Sequence, residues 1–412
     1  MGDFIEKYRL IDRIQDSNIN FLFGSGMSAG YLEILGNIEN LLTELDKEIF
    51  ADQKQKDLIR ASILYKYFEG VIEKNINILD YSSLESEVIL SIQWTLDSYR
   101  NFFKTINQLI LLRRNKLLSK QVNIFTTNID VFLERAIEQV GLEINDGFGK
   151  GFKPKYDLSN FKKSIFQKSL HFDNSSEIPV FNILKIHGSL TWKYDGGNIY
   201  FDNSLEQVQK VKSATKIDLI NVVTKDSETT KKDDLTSLIS KLPTSTIDET
   251  KFSSFLEEYD KLSIVNPTKG KFQQTVLDQK YYDLLRIYAN ELERENTLLF
   301  VMGFSFADEH IRDLTIRVAN SNPTLMIYIF AYTTDARGEL EKVLDIENNV
   351  KNKNIVIVSP TQSQQNDKSL KDDFSYDFDQ INERVFKQLL EKISKPMSKK
   401  IFKATLEGFG NE

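Results

Sequence analysis

The chain has 412 residues, 41% of them hydrophobic and 11% aromatic, enough for one large domain with insertions or two to three ordinary ones. A formal net charge of -7 argues against a protein that grips nucleic acid through a broad basic face, while leaving open a local groove such as Lys150–Lys168. The absence of cysteine excludes disulfides, a thiolate nucleophile and thiolate-held zinc or iron–sulfur clusters, and suits a reducing cytoplasm.

Met1–Asp12 alternates charged and apolar residues without the apolar core of a signal peptide. No apolar run reaches the roughly 18 residues of a membrane span, so a cytoplasmic chain with no membrane contact is expected. Phe4, Ile5, Tyr8, Ile11 and Ile14 recur at helical spacing and predict one helix before the first strand.

Asn20-Phe21-Leu22-Phe23 then has strand length and ends in Gly24-Ser25-Gly26-Met27-Ser28-Ala29-Gly30. Glycine lets the backbone turn tightly and approach a ligand without a Cβ in the way. If a helix opens there, its free N–H groups face whatever lies over the turn, as in dinucleotide sites. Taken alone, a strand ending in a glycine turn is as readily structural.

From Tyr31 to Ser119 the chain is rich in Leu, Ile, Glu and Lys, with no Pro, and predicts a helical insertion, about 31–119. Val122–Phe125 is the next strand, ending at Thr126-Thr127-Asn128-Ile129-Asp130 before a helical run, where Asn128 and Asp130 can equally cap the helix. Val180–Ile186 is a third strand, ending at His187-Gly188-Ser189. A polar insertion, about 195–262, includes the expected surface loop Lys225–Ser237.

Ser263–Pro267 reads as a short strand stopped by proline, and Tyr281, Leu284, Tyr288 and Leu292 mark an amphipathic helix. Thr297–Met302 is a strongly apolar strand ending at Gly303-Phe304-Ser305-Phe306-Ala307-Asp308-Glu309-His310, with Asp308 placed to cap the next helix. Leu325–Phe330 reaches Ala331-Tyr332, and Asn354–Val358 is the last strand. Residues 361–412 read as a polar linker and a closing amphipathic helix through Ile381, Val385, Phe386 and Leu389. Strands alternating with helices predict an α/β, Rossmann-like, mostly parallel sheet with helices on both faces, over about 1–360. Every polar cluster falls at a strand's carboxyl end, where such sheets bind ligands.

Gly24-Ser25-Gly26-Met27-Ser28, Thr126-Thr127-Asn128-Ile129-Asp130, Lys185-Ile186-His187-Gly188-Ser189 and Gly303-Phe304-Ser305-Phe306-Ala307-Asp308-Glu309-His310, in that order, resemble the sirtuin-like domain, especially its bacterial antiviral-defence branch. The stretch Ile264–Phe272 resembles the segment before the Gly-Phe-Ser motif in that branch. The resemblance implies NAD over the sheet edge, as substrate. It matches Gly24, Ser25, Gly26 and Ser28 to the pyrophosphate turn, and Gly303 and Ser305 to the adenosine ribose. Tyr332 is a looser adenosine match, and Thr127 stands among the cofactor-binding positions where deacylases usually carry Gln. Asn128 and Asp130 match the residues facing the nicotinamide ribose and carboxamide, and His187 the catalytic histidine.

The deacylase zinc module needs four cysteines and this chain has none, so no zinc is expected and lysine deacylation is disfavoured. The remaining chemistry is cleavage of the nicotinamide–ribose bond, an NAD glycohydrolase that depletes NAD in antiphage defence. The resemblance further implies a homo-oligomer and, as in free-standing chains of this type, a HerA-like ring ATPase partner that brings DNA in indirectly. The rival expectation is a catalytically silent NAD or ADP-ribose-binding subunit that regulates or scaffolds a DNA-processing complex.

Overall fold

A computed structural model describes residues 2–34, 36–215, 219–225, 231–244, 246–265, 275–360 and 375–394. Strands β1 (Asn18–Phe23), β2 (Gln121–Thr126), β3 (Glu143–Asn145), β6 (Val180–Lys185), β9 (Thr297–Met302), β10 (Met326–Phe330) and β11 (Ile355–Val358) form one sheet in the order β11-β10-β9-β1-β2-β6-β3. Every pairing in it is parallel. Two antiparallel pairs stand beside it, β4 (Ile165–Lys168) with β5 (Ser175–Ile178) and β7 (Trp192–Asp195) with β8 (Asn198–Phe201).

The central strands are apolar runs because helices cover both faces. Alternate residues Phe21, Phe23, Ile124, Ile183, Phe300 and Met302 enter one core, while Leu22, Phe125, Leu184, Leu299 and Val301 enter the other. The second core is closed by α11 (Thr275–Leu292), α12 (Glu309–Ser321) and α13 (Thr334–Leu344), through Leu284, Tyr288, Ile311, Val318 and Leu340. Both helix layers and the parallel sheet are therefore as the sequence pattern predicts.

The first core is larger. It takes in α1 (Gly2–Lys7), α2 (Leu10–Asp16), α3 (Asn37–Lys47), α4 (Gln53–Tyr67), α5 (Lys74–Leu79), α6 (Ser86–Leu111) and α7 (Phe132–Val140). The single opening helix expected from sequence is two, because Arg9 adopts a left-handed conformation (φ 50°) that breaks it. The closing helix runs through Phe378–Ile381, a π-helical stretch Asn382–Lys387 and Gln388–Ser394. It packs deep in this core: Phe386 lies 5.8 Å from Phe21 and 5.4 Å from Phe300, and Phe378 lies 4.9 Å from Tyr99.

The stretch read as a polar insertion contributes α8 (Glu206–Ala214), α9 (Leu235–Ser240) and α10 (Ser253–Tyr259). Their apolar faces, with Val208, Leu238, Phe255 and Tyr259, bury against the helical insertion, where Phe255 meets Tyr65 and Phe68. Arg60–Asp260 (2.8 Å) and Lys212–Glu73 (3.0 Å) tie their rims. Of the loop expected over Lys225–Ser237, 226–230 lie outside the described residues, and the rest leads into α9: Asp233 is buried, held by Lys241 (2.7 Å) and the Val223 N–H (2.7 Å). Of the strand expected over Ser263–Pro267, the described part holds an isolated bridge from Ile264 to Gly188. Asn266–Phe272 and the linker 361–374 lie outside the described residues. Among the described residues no helix is long and apolar enough to cross a membrane.

A buried ladder crosses the middle of the sheet. Asn20, Asn123 and Asn182 stand opposite one another on β1, β2 and β6. Asn123 Nδ2 donates to Asn20 Oδ1 (2.8 Å), and Asn182 Nδ2 donates to Asn123 Oδ1 (2.8 Å). A slip by one residue in either pairing breaks the bond across it, so the ladder pins the register that aligns the strand ends.

Candidate functional site

The register places five strand ends in one row. Phe23 pairs with Met302 and Thr126, Thr126 pairs with Lys185, and Met302 pairs with Phe330. With strands about 4.8 Å apart, the four steps of this row span on the order of 19 Å. The glycine turn, the Asn128–Asp130 loop, His187, Gly303 and Tyr332 all leave from it within a few residues.

The turn after β1 is a short 3-10 segment, Ser25–Ser28, set against the turn after β9. Gly26 N–H donates to Gly303 O (3.0 Å), and Gly24 N–H to Met302 O (3.1 Å). A Cβ on Gly24 would stand 2.4 Å from Gly303 O, and one on Gly303 (φ +63°) 2.7 Å from Met27 N. The glycines are thus required by two backbones in contact, a reason the sequence alone did not supply. Ser25 and Gly26 face outward on the exposed side of this junction.

Ser28 turns inward. Its Oγ donates to Asp130 Oδ2 (2.8 Å) and lies 3.0 Å from the Tyr99 hydroxyl and 3.4 Å from Asn128 Nδ2. A hydroxyl has one proton, so Tyr99 and Asn128 are the donors toward it. Asp130 Oδ1 accepts from Phe132 N–H (3.1 Å), the first N–H of α7, from one residue before the N-cap position, Val131. Ser28, Asn128 and Asp130 are all buried. Burial first, and then the Asp130 charge, push the phenols of Tyr99 and Tyr67 upward, keeping both neutral beside the carboxylate.

The loop carrying Asn128 and Asp130 is anchored from three sides. Thr127 N–H donates to Phe23 O (3.2 Å), Val131 N–H to Asn75 Oδ1 (3.0 Å), and Lys185 Nζ to Asp130 O. Lys185 also pairs with Glu134 Oε1 at 3.0 Å, both side chains being largely buried. Burial pushes the Glu134 carboxyl up, against the opposing pull of Lys185.

His187 follows β6. Its Nε2 lies 3.0 Å from Asp308 Oδ2, and its ring centroid 6.0 Å from that of Tyr281. Its carbonyl accepts Val265 N–H (2.8 Å), and three residues on Leu190 N–H donates to Ile129 O (3.1 Å). The contacts close a ring: Gly26 to Gly303, on through Asp308 to His187, through Leu190 to Ile129, and from Asp130 to Ser28. The structure thus brings Gly24, Gly26, Ser28, Thr127, Asn128, Asp130, His187 and Gly303 together.

Ser305 and Tyr332 lie outside this ring. Ser305 is exposed and its Oγ accepts a local N–H, from Ala307 (3.4 Å). Tyr332 is 58% exposed, and among the described residues no hydrogen bond joins either to the buried cluster. Asp308, read as a helix cap, is a cap: its Oδ1 accepts from His310 and Ile311 N–H (3.0 and 3.2 Å). Its second oxygen reaches His187, which the sequence did not indicate. Tyr99, Glu134 and Asn75 were likewise missed as supports, with no local motif to mark them, and Lys185 lay within the His187 motif without a role. Among the described residues no group of His, Asp and Glu is arranged to hold a metal.

Comparison with known families matches residues 122–358 to the SIR2-like domain. No curated protein matches the chain. The matched span holds Asn128, Asp130, His187, Gly303 and Ser305, and the Gly24–Ser28 turn before it is joined to that span by the Gly26–Gly303 and Ser28–Asp130 bonds. Because the match covers more than half of the chain, this protein belongs to the SIR2-like domain family, a family of NAD-dependent enzymes.

Proposed function

We propose that the chain hydrolyses NAD at the bond between nicotinamide and ribose. The observation that supports this reading is the convergence of Asn128, Asp130 and His187 beside the Gly24–Gly26 turn, on one row of strand ends. The groups suit a dinucleotide: an amide and a carboxylate for the carboxamide and ribose hydroxyls, an imidazole for a proton, and exposed backbone at Ser25 for the phosphates. Cysteine is absent, so the thiolate zinc module of deacylases has no ligands here.

The C1′–N bond breaks with its electron pair passing to the pyridinium ring, so the leaving group needs no acid. Positive charge then builds on the ribose, as in other glycosyl transfers. Asp130 stabilises that charge or holds the carboxamide, and Asn128 fixes the ribose hydroxyls and the incoming water. The water oxygen bonds to C1′ while His187 accepts its proton, since an ordinary imidazole titrates near the cellular range. Nicotinamide and ADP-ribose leave.

The motif resemblance extends the reading to antiphage defence by NAD depletion, in a homo-oligomer paired with a HerA-like ring ATPase. The test incubates the pure chain with NAD, with and without that ATPase and DNA, and follows nicotinamide by mass. His187→Ala and Asn128→Ala are each expected to cut release by roughly 10²–10⁴-fold while the fold holds. A folded variant that hydrolyses NAD at the parent rate removes that residue's role. NAD binding without turnover in every assembly state favours the silent regulatory subunit.

A further inference from the structure

The His187–Asp308 pair joins two elements 121 residues apart in sequence, at 3.0 Å and with side-chain exposures of 15% and 7%. Asp308 is held rigidly. Its Oδ1 accepts two backbone N–H groups of the first turn of α12, a helix of 13 residues, and this fixes the direction of Oδ2. An ionised carboxylate only accepts, so Nε2 of His187 carries the proton of this bond. In the neutral imidazole Nδ1 then holds the lone pair.

We propose that Asp308 is the positioning residue of His187, fixing its tautomer so that Nδ1 is the nitrogen that takes up the proton of the attacking water, and stabilising the imidazolium that results. The chemistry parallels other sites in which a buried carboxylate orients a histidine base. This inference rests on the reading of His187 as the proton acceptor. The proton moves from water to Nδ1 as the water oxygen bonds to C1′, and Nε2–H stays on the ring throughout.

Among the described residues, the titratable groups facing the imidazole are Asp308 before α12 and Tyr281 of α11, with Tyr282 and Glu39 of α3 near Tyr281. Burial, then Asp308, Tyr282 and Glu39, push the Tyr281 phenol upward, so it stays neutral at cellular pH, and among the described residues Asp308 is the carboxylate bonded to His187.

The test uses the full chain with ¹³C/¹⁵N-labelled histidine. Only His171, His187 and His310 contribute ring signals, and His187→Ala identifies the one of interest. Asp308→Asn keeps the cap oxygen but removes the charge and turns an amide N–H toward Nε2 in place of Oδ2, and Asp308→Ser keeps the cap while withdrawing the partner. Thermal melting checks that both variants fold.

The parent is expected to show the Nε2–H tautomer. In Asp308→Asn the His187 pKa falls by about one unit, because a neighbouring carboxylate favours the charged imidazole. In Asp308→Ser the tautomers mix. For hydrolysis, kcat falls by roughly 10- to 10³-fold, within the reach of a positioned base, while KM moves less than about threefold. The acidic limb of the Asp308→Asn pH profile moves to lower pH with the His187 pKa.

An Nδ1–H tautomer in the parent overturns the proposal. So does a His187 titration that neither folded variant alters, which leaves Asp308 as a helix cap alone. If the ring signals behave as expected but the parent releases no nicotinamide in any assembly state, the positioning of His187 stands and the hydrolase reading falls.

Discussion

Ser28 donates its only hydroxyl proton to Asp130 at 2.8 Å, joining the turn after β1 to the loop after β2 inside the buried part of the site. Tyr99 and Asn128 fill the remaining acceptor positions of the same oxygen, so one serine closes a four-residue network. Ser28→Ala leaves a buried carboxylate oxygen short of a donor. A hydrogen bond to a charged group is worth about 1.5–3 kcal/mol, and a loss of that size in chemical denaturation is expected, with NAD turnover falling alongside. An unchanged unfolding midpoint would mean that water or a rearranged Asn128 replaces the serine, and that the network is not what holds Asp130.

The contact between the two glycine turns gives a sharper prediction. Gly303 sits at φ +63°, and its Cβ position lies against Met27 N and Gly26 C at 2.7 and 2.9 Å, all backbone. Gly303→Ala therefore meets strain of about 1–2 kcal/mol for the left-handed conformation, and a clash that only separation of the turns relieves. Lower stability and weaker NAD binding should appear together. Gly338 is the contrast, lying within α13 with nothing within 4 Å of its Cβ position. Gly338→Ala should stabilise by roughly 0.5–1 kcal/mol, since it removes backbone entropy from the unfolded chain at no steric cost. Equal melting shifts in the two variants would contradict this account of the junction.

How much of this was legible beforehand follows from where the information sits. Val122–Phe125 and Thr297–Met302 announce themselves because strands buried on both faces must be apolar, and each stops at polar residues where the sheet ends. That placed Asn128, Asp130 and Gly303 on one edge. His187–Asp308 was not legible, because a carboxylate one residue before a helix is fully explained by capping and its second oxygen leaves no mark in sequence. Tyr99 is 71 residues from Ser28 and lies within an apolar helix, where a tyrosine reads as core. Val208, Leu238 and Phe255 were hidden by the polar outer faces of their helices, which lowered the local hydropathy of a stretch that nonetheless buries one side.

The middle asparagine of the ladder also reaches Glu291, whose buried carboxylate accepts from Asn123 (3.3 Å) and pairs with Lys162 (2.7 Å) and Arg294 (2.8 Å). Burial pushes the Glu291 carboxyl up, but the two cations outweigh it and hold it below its ordinary value of 4.5. Asp233 behaves alike: burial raises it, and Lys241, Ser237 and the Val223 N–H bring it below 3.8. A carboxyl with a lowered folded-state pKa contributes stability that is present above its unfolded value and lost as pH falls through the folded one. Stability should accordingly decline as pH falls below about 4.5, the unfolded-state value for Glu291, and Asp233 adds to the decline below about 3.8. Glu291→Gln and Asp233→Asn should each flatten that acid limb in denaturation measured across pH. A parent stability level down to pH 3 would contradict the assignment.

Lys185 is a buried support of the site, with its ammonium between Glu134 and the carbonyl of Asp130. Removing one member of a buried pair strands the other charge, and Lys185→Met should cost about 3–5 kcal/mol. Glu134→Leu alone strands the lysine in the same way. The double variant has no charge left to desolvate, and apolar replacements of similar volume are often neutral or stabilising, so most of the lost stability should return. NAD turnover should not return with it, because the Asp130 carbonyl has still lost its donor and the Asn128–Asp130 loop its anchor. Stability and turnover must then separate in the double variant. A double variant as unstable as Lys185→Met would show that the lysine acts through the Asp130 carbonyl alone, and one that recovers both would show that the loop holds its shape without it.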